Sequence, residues 1–136
     1  MNARYILTLA ASLMLFAAPC AFAQQQDPEK EEKDLQEAIE KELESLTSRL
    51  ALEDWQVFYV DSIMNHDYRA LREELKALNA QKVGNIGTYQ QVQDKWAEKM
   101  YAEYKKLFTP EQWDKYNKSG AGRNKKSRDK RADARK

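Results

Sequence analysis

The sequence predicts an all-α fold, with four amphipathic helices in an elongated, antiparallel, hairpin-like bundle ending in a disordered basic tail. Apolar residues recur at spacings of three and four between Leu35 and Tyr116, and no segment shows β-branched alternation. Pro28 and Pro110 stand where helices should start, and all four glycines fall in connections or in the tail. From Lys118 onward the chain carries nine Lys and Arg against two Asp and no apolar side chain larger than Ala. Such a segment buries too little to offset the entropy of ordering it.

The first helix opens at Asp27-Pro28-Glu29. Asp27 can accept an orphan N–H, Pro28 has no N–H to leave unpaired, and Glu29 meets the positive helix end. Its stripe is Leu35, Ile39, Leu43, Leu46 and Leu50, while the charged turns Lys30 to Asp34 are expected to fray, making residues 24–34 a polar extension. The second helix spans about Asp54 to Leu78, with Val57, Val60, Met64, Tyr68, Leu71, Leu75 and Leu78 on one face. Gly84 and Gly87 mark a connection, and Thr88-Tyr89-Gln90-Gln91 fits a capping box that opens the third helix. That helix aligns Tyr89, Val92, Trp96, Met100, Tyr104 and Leu107. Thr109-Pro110-Glu111-Gln112 is a stronger capping box, starting a short fourth helix with Trp113 and Tyr116 that Gly120 ends. Short links favour packing of the second helix against the first and third.

At 100° per residue, Leu52, Trp55, Tyr59 and Ile63 cluster opposite the main stripe of the second helix. This second apolar face has three open readings: burial under the first or fourth helix, a dimer interface, or an exposed binding patch. The small size of the domain adds weight to dimerisation.

Residues 1–23 have the layout of a signal peptide. Arg4 precedes 14 largely apolar residues, Tyr5 to Ala18, fewer than the ~17–25 of a membrane span, and Ala21-Phe22-Ala23 offers a small-x-small cleavage site. Pro19 makes Cys20 a poor lipidation site. Cleavage after Ala23 implies a periplasmic protein of 113 residues without cysteine, so neither disulfide nor thiolate is expected.

Residues 24–117 carry 13 basic against 20 acidic side chains, a formal −7, and the tail a formal +7. In an exported protein the tail residues Arg123, Lys125, Lys126, Arg128, Lys130 and Arg131 point to anionic headgroups, cell-wall polymers or acidic segments rather than to nucleic acid. The bland alternative is a tail that only aids solubility or folds back on the acidic body.

No enzyme chemistry finds its residues. The single histidine, His66, reads as a surface residue, since one imidazole without cysteine falls short of the three or four ligands of a usual metal site. Neither a phosphate loop nor a nucleophile elbow occurs, and adjacent carboxylates such as Glu73-Glu74 diverge by 100° on a helix. No cofactor is expected.

Leu50-Ala51-Leu52-Glu53-Asp54-Trp55-Gln56 resembles the first L-x-L-T-x-x-Q motif of the Spy and CpxP family of periplasmic proteins, and Phe108-Thr109-Pro110-Glu111-Gln112 resembles the second. The resemblance covers residues 35–118 and rests on Leu50, Leu52, Gln56, Phe108, Thr109, Pro110 and Gln112. Glu53 stands where the family carries Thr, and the acidic body differs from the family's generally basic concave surface. The resemblance implies a thin, curved helical homodimer that holds unfolded envelope proteins without ATP, or that represses an envelope-stress sensor kinase domain. Leu52, Trp55, Tyr59 and Ile63 are then the client or dimer face. Metal-sensing relatives draw on His, Cys and Met ligands, which are scarce in this chain. The competing expectation is a non-catalytic envelope module tethered by its tail.

Overall fold

A computed structural model describes residues 27–136, and the expected signal peptide lies outside them. Asp27 accepts the Glu29 N–H at 3.1 Å, and helix α1 then runs Pro28–Leu50. It stops because Ala51 takes left-handed angles, φ 50° and ψ 55°, while the Ala51 and Leu52 N–H groups both turn back to Thr47 O. Helix α2 spans Asp54–Ala80 and ends through Lys82, which also has positive φ. Helix α3 runs Ile86–Leu107, three residues earlier than the capping box at Thr88 suggested. Asn85 is the cap instead, accepting the Gly87 N–H at 2.8 Å, because its short amide reaches an orphan donor one turn sooner. Helix α4, Pro110–Tyr116, begins at the expected Thr109 capping box. The described residues contain no strand.

The turns from Lys30 to Asp34 do not fray. Glu31 pairs with Lys76, and Glu32 with Arg69 at 2.6 Å and Arg72 at 2.8 Å, so the start of α1 is held to the second half of α2 by charge. Helix α2 also meets α3, with partners running in opposite order: Glu74 to Lys95, Asp67 to Lys99, Gln56 to the Leu107 carbonyl. The core gathers Ile39, Leu46 and Leu50 from α1, Leu52 from the connection that follows, Val60 and Met64 from the first half of α2, and Tyr104 and Phe108 from the end of α3. Tyr104 and Phe108 stack at 5.4 Å, and Tyr116 of α4 meets both edge-on. Burial pushes the Tyr116 phenol up to about 12 and raises those of Tyr68 and Tyr104 as well, so all three stay neutral. The stripe of α2 weakens beyond Tyr68, with Leu71, Leu75 and Leu78 only half-buried.

The tail departs most from expectation. Gly120 does not end the helical path; a π-type turn at Asn117–Ala121 leads into helix α5, Gly122–Asp133. Lys125 and Arg128 pair with Glu98, and Arg131 and Arg135 with Asp94. Apolar content alone predicted disorder for this segment. The helix forms because the acidic face of α3 lies within reach of its basic side chains, an attraction that hydropathy does not register.

Left-handed angles cost an L-residue about 1–2 kcal/mol, partly cancelled by the greater unfolded-state freedom of glycine, about 0.5–1 kcal/mol. Ala51→Gly is therefore expected to raise the thermal midpoint, by up to about 4–8 °C for a net gain near 1 kcal/mol. An unchanged or lower midpoint would show that the Ala51 methyl contributes packing that outweighs the strain.

Candidate functional site

Two helix starts meet at one place in the molecule. Gln56 and Gln112 sit at the third position of α2 and α4, each reaching back to its own N-cap: the Glu53 N–H donates to Gln56 Oε1 and the Thr109 N–H to Gln112 Oε1, both at 3.0 Å. The two side-chain amides are buried, 1% and 9% exposed, and they face each other. Gln56 Nε2 donates to Gln112 Oε1 at 2.7 Å, and Gln112 Nε2 donates to Gln56 Oε1 at 3.0 Å. The second amide proton of Gln56 goes to the Leu107 carbonyl at 2.9 Å, and Gln112 Nε2 lies 3.4 Å from the Leu50 carbonyl. The end of α1, the start of α2, the end of α3 and the start of α4 are thereby joined through two side chains. Leu50, Leu52 and Phe108 are buried beside them, while Thr109 and Pro110 remain exposed. Glu53 in place of Thr still presents its N–H to Gln56, and its Oε2 accepts the indole N–H of Trp55 at 2.7 Å.

The structure divides the four residues of the second face of α2. Leu52 is buried, and Ile63 packs against the core. Trp55 and Tyr59 point outward, 50% and 51% exposed, and they are joined by a residue that neither sequence stripe included, Phe58, 68% exposed. The rings touch edge to face, with centroids 6.3 Å apart for Trp55 and Tyr59 and 5.5 Å for Phe58 and Tyr59. The signal for Phe58 was available, since residues three and four apart share a helix face and Trp55, Phe58 and Tyr59 have that spacing. Lower on α2, exposed His66 places Nδ1 2.7 Å from Oδ1 of buried Asp67, which also accepts from Lys99 Nζ at 2.7 Å.

The six tail residues divide equally. Lys125, Arg128 and Arg131 turn inward to α3, while Arg123, Lys126 and Lys130 are exposed. Arg131 reaches both oxygens of Asp94, at 2.7 and 2.9 Å, and Gln90 adds a hydrogen bond at 3.1 Å. Burial alone would raise the Asp94 pKa, but the hydrogen bonds from Arg131 and Gln90, the charge of Arg131 and a further contact from Arg135 outweigh it. The carboxyl is held below its ordinary value.

Compared with known protein families, curated proteins and solved structures, the chain matches none. Among the described residues no group of three or more His, Cys, Asp or Glu side chains is placed to hold a metal ion, and no helix is long and apolar enough to cross a membrane.

Replacing one member of the glutamine pair strands buried polar atoms on the other, so Gln56→Leu or Gln112→Leu should cost about 1–3 kcal/mol in urea unfolding. The double Leu variant should lose clearly less than the sum of the two. Additive losses would mean that the amides act separately. A depressed carboxyl contributes stability that is complete above the ordinary aspartate value of about 3.9 and is lost as pH falls through the lower native value. The acid unfolding of α5, followed by far-ultraviolet circular dichroism, should therefore begin below about pH 4 and lose this component in Asp94→Asn.

Proposed function

We propose that the chain is a non-catalytic, ATP-independent holdase of the cell envelope that binds unfolded or partly folded proteins, as its resemblance to the Spy and CpxP family implies. The observation that carries this reading is the contiguous cluster of Trp55, Phe58 and Tyr59, three large rings each at least half exposed on the first turns of α2. Single exposed apolar side chains are ordinary, but adjoining ones rimmed by charge mark contact surfaces. Aromatic rings suit transient capture because they offer broad apolar area while ordering only two side-chain torsions. Glu53, Asp54 and Asp61 flank the cluster on α2, so client segments that mix apolar residues with Lys or Arg fit it best.

Export to the periplasm, assembly as an elongated antiparallel homodimer, and action on a sensor kinase domain belong to the same reading. The alternative of an envelope module tethered by its tail is less well supported, because Lys125, Arg128, Arg131 and Arg135 are engaged by α3. The acidic rim and basic helix would speed encounter with charged clients rather than hold them.

Light scattering of a chemically unfolded client, without ATP, tests the reading. Wild-type protein should suppress aggregation near stoichiometry. Trp55→Ser/Phe58→Ser/Tyr59→Ser should lose most of that suppression while its thermal midpoint stays within a few degrees, because each of these side chains is at least half exposed. Failure of excess wild type with several clients would end the holdase proposal.

A further inference from the structure

Helix α5 is attached to the rest of the chain unlike any other helix. None of its residues is buried. Its contacts to α3 are ion pairs to Asp94 and Glu98, together with the Arg128 guanidinium lying 5.5 Å from the centre of the Tyr101 ring. Ion pairs near the surface are individually weak and screened by salt, and a helix of 12 residues containing Asn and Ser is marginal by itself. The connection to α4 passes through Gly120 at φ 119°, where an added Cβ would meet nothing within 4 Å. Glycine is needed there for its backbone angle alone, which is the requirement of a pivot.

The outward side of α5 carries Arg123, Lys126 and Lys130 at positions i, i+3 and i+7, on one face, and none of them has an acidic partner among the described residues. Beneath the inward side lies Tyr101, packed 4.7 Å from the Trp113 ring, with its hydroxyl donating to Asn117 Oδ1 at the pivot.

We propose that α5 is an electrostatic strap over the Tyr101 ring of α3, opened by a phosphate-rich polyanion that enters along Arg123, Lys126 and Lys130 and displaces Asp94 and Glu98. Arginine recognises phosphate through paired N–H donors, so a phosphate chain competes well for the groups that α3 now holds. The helix has no apolar side chain larger than Ala to insert into a bilayer, which favours a flexible polymer over a lipid surface. A multivalent chain replaces several ion pairs at once, whereas a simple salt only screens them. Opening uncovers the Tyr101 ring on α3, separate from the cluster on α2. The strap stands whether or not the α2 cluster binds clients.

Hydroxyl-radical footprinting of the full chain tests this, with Tyr101 as reporter and buried Tyr104 as the internal control for folding. Inorganic polyphosphate should raise Tyr101 reactivity severalfold at an ionic strength where sodium chloride and monophosphate change it little, with Tyr104 unaltered. Asp94→Asn/Glu98→Gln should show the raised reactivity without polyphosphate. Arg123→Ser/Lys126→Ser/Lys130→Ser should stay closed alone and need about tenfold more polyphosphate to open. Any of three results overturns the proposal: Tyr101 indifferent to polyphosphate, equal opening by matched sodium chloride, or Tyr104 becoming reactive together with Tyr101, which would make α5 part of the cooperative core.

Discussion

The amide pair of Gln56 and Gln112 is the constraint on which the rest of the arrangement depends. Each side chain satisfies a backbone donor at the start of its own helix, and each donates to a carbonyl near the end of another. Helix ends are where a helical protein accumulates unpaired polar groups, and burying four such ends together would be prohibitive without partners. Two glutamines meet that demand because a primary amide has both donors and acceptors, so the same pair can face inward, bind each other, and still reach the backbone. The apolar core gathers around this point, with Leu50, Leu52 and Phe108 beside the amides and Val60 and Met64 one and two turns along.

The clasp also accounts for the exposed rings. Once Gln56 is directed inward by Gln112, the rotation of α2 about its axis is set, and Val60 and Met64 follow Gln56 into the core at positions i+4 and i+8. Trp55, Phe58 and Tyr59 are then left on the opposite side with no helix to cover them. Their exposure follows from a buried polar interaction one to three positions away, at the same helix start.

Charge does the remaining work of positioning. Glu31 and Glu32 fasten the start of α1 to Lys76, Arg69 and Arg72, and Asp94 and Glu98 fasten α5 to α3. Both segments are too polar to be held by apolar burial. The molecule therefore combines a short, well-packed region around the glutamines with outer segments whose attachment varies with salt and acidity.

Much of this was legible in the sequence. Helical periodicity in one direction of a chain is a local property, so the stripe Ile39, Leu46 and Leu50, the Thr109 capping box and the start at Asp27-Pro28 could all be read without knowing the fold. The resemblance of two short motifs also identified Gln56 and Gln112, but as caps of separate helices; that they bind each other across 56 positions depends on how α2 and α4 meet. The same holds for the second face of α2, where periodicity grouped Leu52, Trp55, Tyr59 and Ile63 while packing buried Leu52, set Ile63 partly buried against the core, and exposed the other two with Phe58. The tail shows the limit most clearly. Its composition determined that it could not fold by burying apolar surface, and only the tertiary structure decided that Asp94 and Glu98 would stand close enough to order it, because Coulomb attraction depends on distance in space and not on position along the chain.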